Sequence, residues 1–321
     1  MTTSPDPPDQ QHPQRPSNAR VLDLVRQQQR VDYGDVLTEV IAAATTDLTL
    51  AAECRARALS EIAVAAPTLA NLTCWPTTLV TTVFAPADRT HPRPFVLGPL
   101  LPGFDRVVVV IEHPDASYQL TVLSVDDVLA RATTLRTYDG GLDYVRLSPA
   151  DLDAVRPEST ISGRLNRDTD IARLVLLARL LELALADGLA RAFLDEVTAH
   201  LSHRSRQWRG APVNTIGEDP HVLRDLGLIV ARTHAVDQLA IDAARHLQAW
   251  EQDGTGTDVL KDEIDVARIY ARDFLTEATV EVFDLMGPTS VGLRDARHRF
   301  WAHAQNLAQR FDADTDHGYT P

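Results

Sequence analysis

The stretch that decides the fold is Asp170–His203, DIARLVLLARLLELALADGLARAFLDEVTAHLSH. Its apolar residues recur in steps of three and four, through Leu174, Leu177, Leu181, Leu185, Leu189, Phe193, Val197 and Leu201, the spacing of an amphipathic helix with a wide apolar face. Asp168 or Thr169 is placed to cap its first turn. At 1.5 Å per residue the helix runs about 50 Å, more than a solitary small domain needs. A basic corner with one tryptophan follows, HRSRQWRG, and then a polar loop that ends in GEDP. Asp219-Pro220 suits a helix start with proline at its first position. His221–Trp250 is a second long amphipathic helix, so two long antiparallel helices joined at a basic corner make half of a helical bundle.

Upstream, the texture alternates. Residues 1–18 are rich in Pro, Gln and Asp without an apolar period, and read as a disordered tail. Residues 19–67 read as helical, with much alanine, and Pro67 stops the run. Cys54 falls within that pattern as a small buried apolar residue. Residues 68–156 turn to β-branched runs: TLVTTVFA, RPFVLGPLL, DRVVVVIEH, SYQLTVLSV and LDYVRLS. Proline and glycine turns separate them, predicting a small β domain of five or six strands. Arg156–Arg167 reads as a linker into a helical region over 157–311. That region continues with Thr257–Met286, stopped by Gly287-Pro288, and a last helix over Ser290–Phe311. Residues 312–321 are a polar tail. The fold class expected is mainly α with a small β domain and a C-terminal four-helix bundle.

Composition excludes several classes. The 321 residues carry a formal net charge of −14, with a pI near 5.2, which argues against a general nucleic-acid binder. Arg204, Arg206 and Arg209 are a local basic exception able to hold one phosphate. The two cysteines, Cys54 and Cys74, have no metal-ligand spacing and fit a reducing cytoplasm. No apolar run reaches membrane-spanning length. His200 and His203, at one helix turn's spacing, could share a metal with Glu196, but no second ligand cluster supports a metal site. Nucleotide-binding glycine loops and the common hydrolase motifs are missing from the sequence.

Three segments, in order, carry a family resemblance. DIARLVLLARLLELALADGLARAFLDEV resembles the first C-terminal helix of acyl-CoA dehydrogenases, with Gly188 at a small-residue crossing. HRSRQW followed by EDPHVLRDLGLIVARTHAVDQLAIDAARHL resembles the monooxygenase-like branch of that superfamily, and so does EATVEVFDLMGPTSVGLRDARHRFWAHAQN. The resemblance is strong over Asp168–Phe311 and loose over the β domain. It implies an N-terminal helical domain, a β domain and a C-terminal four-helix bundle, with FAD or FMN between the last two. It also implies association through the bundle, as a homo-oligomer or with a full-length acyl-CoA-dehydrogenase-like chain.

Site residues follow from the same resemblance. An arginine near the basic corner contacts the flavin phosphate, which maps to Arg204 or Arg206; guanidinium suits phosphate because it donates paired N–H groups. The sequence departs from the family where a base should stand. The glutamate of the first bundle helix maps to Ala172, Gly292–Phe311 holds no glutamate, and the histidine of the monooxygenase-like branch maps to Leu307. His298 and His303 lie nearby as substitutes for acid–base work, although each also reads as a surface residue on a polar helix face. The function implied is a flavin-dependent oxidoreductase, or a reduced subunit of one, acting on an acyl thioester or related small molecule. The alternative is a non-catalytic helical scaffold that binds no flavin.

Overall fold

The computed structural model describes residues 32–66, 69, 78–82, 95–101, 103–113, 117–138, 142–203, 218–286 and 302–308. Helix α1 spans Tyr33–Thr46 and α2 spans Leu48–Ala65, so the stretch expected as helical breaks at Asp47, whose extended backbone turns the chain. Asp32 caps α1 by accepting from the amides of Gly34 and Asp35. The expected helix residues before position 32 lie outside the described ones.

Seven strands follow: β1 Thr78–Thr82, β2 Phe95–Leu100, β3 Arg106–Glu112, β4 Ser117–Ser124, β5 Thr133–Tyr138, β6 Leu142–Leu147 and β7 Ser159–Arg164. Two short helices interrupt them, α3 Val125–Leu129 and α4 Pro149–Ala154, each opened by a serine cap. The strands form a four-stranded sheet, β1-β3-β4-β7, and a three-stranded sheet, β2-β6-β5. Within the larger sheet β1 runs parallel to β3, whereas β3–β4 and β4–β7 are antiparallel. The expected linker at Arg156–Arg167 is therefore occupied by β7, paired from Ser159 to Arg164 against β4. Its STISGR lacks a β-branched run, and the pairing partner supplies what its own propensity does not.

The run RVVVVIE explains the layering. Val108 and Val110 face the helical core together with Tyr118, Leu120 and Val122, while Val107 and Val109 join a second core with Tyr144, Val145 and Leu147 of the smaller sheet. The larger sheet is thus covered on both faces, as a continuous apolar strand requires.

Three long helices complete the fold: α5 Thr169–His203, α6 Pro220–Asp253 and α7 Thr257–Met286. Residues 302–308 are helical, and Ala304 and Leu307 sit in the main core. The rest of the fourth helix expected over 290–311, and Gly287-Pro288, lie outside the described residues. As expected, Asp168 accepts from the Ile171 amide at the start of α5, and Asp219 caps α6 ahead of Pro220. Gly254 ends α6 with φ +67, a left-handed cap that favours glycine. Among the described residues, no helix is long and apolar enough to cross a membrane.

Helix α5 is the hub. It packs against α1, α2, α6 and α7, and also touches β1 and β7. From Leu174 to Ala190 every residue is buried, which is the pattern of a helix enclosed on all sides rather than one with a single apolar face. Helix α1 crosses it closely at Gly188, where an added Cβ would lie 2.4 Å from Ala44 Cβ and 2.6 Å from the Ile41 carbonyl oxygen. Tyr33 fastens α1 to the far end of α6, its hydroxyl donating to Glu251 at 2.5 Å and its amide to Gln248 at 3.1 Å. Cys54 is fully buried, and burial pushes its thiol up to about 12, which makes it an inert packing residue as the sequence implied.

Candidate functional site at the junction of sheet and helices

A helix enclosed on every side has no solvent face on which to place charge, yet α5 carries Arg179, Glu182 and Asp187 within its buried stretch. The fold answers with partners from other elements. Glu182, fully buried, accepts from Arg55 of α2 and from Arg268 of α7, both at 3.0 Å. Arg268 also reaches Asp265 at 3.3 Å, and Arg179 binds the same Asp265 oxygen. Arg179 then contacts Glu112, the last residue of β3, at 2.8 Å. The Tyr118 hydroxyl donates to Glu112 at 2.6 Å, and Lys261 bonds Asp265 at 3.0 Å and lies 3.4 Å from Glu112. This ladder of alternating charge joins the N-terminal helices, the bundle and the larger sheet.

Its electrostatics are those of a satisfied network. Burial alone would raise the Asp265 carboxyl, but Arg179, Arg268 and Lys261 outweigh it and hold the group down at about 2. Glu112 is treated alike: burial opposes ionisation, and Arg179, Lys261 and the Tyr118 hydroxyl overcome it, so its pKa is lowered. Arg179, enclosed completely, is kept charged against desolvation chiefly by Asp265. Buried ion pairs contribute little net stability, because desolvation offsets their attraction, but losing one partner is costly. The ladder therefore fixes how sheet and helices dock more than it adds to stability.

His303, which the resemblance offers for acid–base work, stands apart from the residues of this ladder. His303 is buried, only 6% exposed, and its ring sits 5.9 Å from that of Tyr144 on β6, tilted by 57°. The reading of His303 as a surface histidine is thus corrected. Its neighbours Ala302, Ala304, Leu307 and Ala308 are small or apolar and buried, so this turn packs inward rather than facing solvent. Ala302 belongs to the core between the sheets, whereas Ala304 and Leu307 belong to the helical core, which puts His303 where the two meet. Asn306, one turn on, is also buried, and Gln305 donates to Thr279 of α7 at 2.9 Å. His298, Arg204 and Arg206 lie outside the described residues. Ala172 and Leu307, to which the resemblance maps two of the family's base positions, are buried apolar side chains with no proton to exchange. Among the described residues there is no group of three or more His, Cys, Asp or Glu placed to hold a metal ion.

The residues present answer a flavin on one side. A buried imidazole at the sheet–helix junction meets the need for an acid–base group in a low-dielectric site. Arg204 and Arg206, expected on the phosphate side, lie outside the described residues. The sequence reading did not single out Arg179, Glu182, Asp187 or Tyr144. For the first three the signal was present, since charges inside a helix that is apolar at every phase must be buried.

The architecture and this junction define a class, the acyl-CoA dehydrogenase fold. Residues 181–310 match the family model described as acyl-CoA dehydrogenase, C-terminal domain. XiaF from Streptomyces sp., solved in complex with FADH2 and glycerol, superposes with a TM-score of 0.63 over 91% of this chain and 82% of that one, at 16% identity. TdsC from Paenibacillus sp. A11-2, solved with FMN and indole, gives a TM-score of 0.59 over 91% and 86%, at 17% identity. A variant of the steroid ACAD Tcur3481-Tcur3483 gives 0.59 over 92% and 84%, at 14% identity. In sequence, a dibenzothiophene monooxygenase from Mycolicibacterium goodii is 28% identical over 119 residues, covering 36% of this chain and 29% of that relative's length.

Proposed function

We propose that this chain is a flavin-dependent oxidoreductase of the acyl-CoA dehydrogenase fold. It takes FMN or FAD at the junction of sheet and helices and acts on an acyl thioester or a related small molecule. The observation that carries the reading is the buried His303 beside Tyr144, within the stretch matched by the C-terminal-domain model, while Ala172 and Leu307 leave two mapped base positions without a titratable group. Structural relatives bound to FMN and to FADH2 support a flavin without choosing between them. A bound flavin supplies the two-electron chemistry. The chain's own residues exclude water through the packed double core, hold the flavin phosphate through Arg204 or Arg206, and exchange a proton at the His303 imidazole. A soluble protein of the cytoplasm, associated through its long helices, is the setting that goes with this reading.

A second version is a reduced subunit that completes the site of a full-length partner. The specific observation in its favour is that Ala172 and Leu307 are core residues. One experiment addresses both versions. The purified chain, alone and co-expressed with a full-length acyl-CoA-dehydrogenase-like chain, is scanned for flavin absorbance and titrated with FMN and FAD. Retention by the chain alone is expected, and Arg206→Ala should weaken it by roughly tenfold or more, since a charge-assisted contact contributes about 1.5–3 kcal/mol. Flavin only in the co-expressed complex selects the subunit version. No flavin in either case, at saturating concentrations, refutes both and leaves a helical scaffold.

A further inference from the structure

We propose that Asp187 is a proton-operated latch in the seam between α5 and α6. In its neutral form the seam is balanced and closed; in its charged form the seam is strained and loosens.

The geometry is that of two carboxylates sharing one guanidinium. Arg191, one turn along α5, donates through Nε to Asp187 Oδ2 at 3.0 Å and through Nη2 to Asp237 Oδ1 on α6. Asp187 is fully buried, and its other oxygen, Oδ1, is buried with no hydrogen-bond partner among the described residues. With Asp187 neutral, Arg191 and Asp237 cancel as a single pair. With Asp187 charged, the seam gains a second negative charge on a buried carboxylate, which shares one guanidinium with the Asp237 carboxylate across the two helices.

Among the described residues no other element relieves it. On α1 the surface against this part of α5 is Ile41 and Ala44 at Gly188, while the buried Glu39 acts on Cys54. On α2, Arg55 is bound to Glu182. On α7, Arg268 and Lys261 are committed to Glu182, Asp265 and Glu112. Strand β1 carries no charged residue, and Arg164 of β7 lies before the start of α5, four turns or more from Asp187. The charges that act on Asp187 are Arg191, which favours ionisation, and Asp237, which opposes it. Burial is the largest influence and raises the group to about 7, so the latch works near neutrality. Proton access is provided at the edge of the seam. Side-chain exposure rises from 0% at Asp187 through 15% at Asp237 to 41% at Arg191, so the shared guanidinium leads from the core to solvent.

The sign follows from linkage. The folded chain holds the Asp187 proton up to about pH 7, whereas the unfolded chain releases it near 3.8, so stability falls as pH rises between these values. From pH 6 to 8.5 the unfolding constant should rise roughly tenfold through this group alone. The test is urea denaturation of the full chain at both pH values, for the native protein and for Asp187→Asn, whose amide mimics the neutral acid. The expected result is a rise in the native protein that exceeds the variant's by roughly tenfold; equal pH dependence in the two overturns the proposal. Carbon-13 NMR of the aspartate carboxyls in the native protein decides the matter even if the variant does not fold. A buried carboxyl titrating near pH 7 is expected, and in Asp237→Asn its midpoint should move down. If every aspartate instead titrates in the ordinary carboxylate range, Asp187 is not a latch.

Discussion

Replacing glycine by alanine inside a helix normally stabilises it, by about 1 kcal/mol, because glycine loses the most backbone freedom on folding. At Gly188 the structure reverses that expectation. A Cβ there would stand 2.4 Å from Ala44 Cβ and 2.6 Å from the Ile41 carbonyl oxygen. Carbon atoms in contact prefer about 3.5–4.0 Å, so α1 would have to retreat by roughly 1 Å. One of the two obstructions is backbone and has no rotamer by which to move aside. A retreat of that size forfeits a quarter to a half of each contact along the seam, and overpacking of this kind costs about 1–3 kcal/mol. Set against the propensity gain, Gly188→Ala should lose about 1–2 kcal/mol of stability. Gly227 is the internal control. It lies in α6 with no atom within 4 Å of an added Cβ, so Gly227→Ala should gain up to about 1 kcal/mol. Urea denaturation of both variants, fitted with a common slope, measures the difference. If Gly188→Ala is stabilised as much as Gly227→Ala, the close crossing of α1 and α5 is refuted.

Removing Arg268 should be the most damaging single change in the charged ladder. Arg268→Ala leaves Glu182, fully buried, with one of its two guanidinium partners gone, and should cost about 3–5 kcal/mol in the same denaturation assay. Asp265 should govern the acid limb of stability: its folded pKa is depressed from 3.8 to about 2, so its contribution is complete above pH 4 and is lost as pH falls through 2. That contribution is about 2 kcal/mol, and Asp265→Asn should flatten the acid limb by that amount.

The helices were legible because their signals are local. Asp168, Asp219 and Pro220 announce their helix starts by chemistry confined to one turn, and Thr257–Met286 is found at the limits its periodicity implied. RVVVVIE was legible as a strand, and its unbroken apolar run also accounts for burial on both faces. What escaped notice depends on distant partners. STISGR becomes β7 because β4 offers it a free edge, not because of its own residues. His303 looks polar among arginines and glutamine in the one-dimensional sequence, and is buried because the two cores converge on its turn. The partners of Arg179 and Glu182 are not legible locally, since the residues that neutralise them lie 67 to 127 positions away.

That sequence separation sets a timetable for the ribosome. Glu182 meets Arg55 as soon as α5 has been made, but Arg268 follows it by 86 residues. At roughly 5–20 residues per second, about 4–17 s pass in which the central helix exists without the side chain that completes its charge. During that interval α5 offers the nascent chain a leucine-rich surface that α6 and α7 have yet to cover, together with a carboxylate only half neutralised. A chaperone that holds exposed apolar helices would find its natural window there, and the window closes only when α7 delivers Arg268.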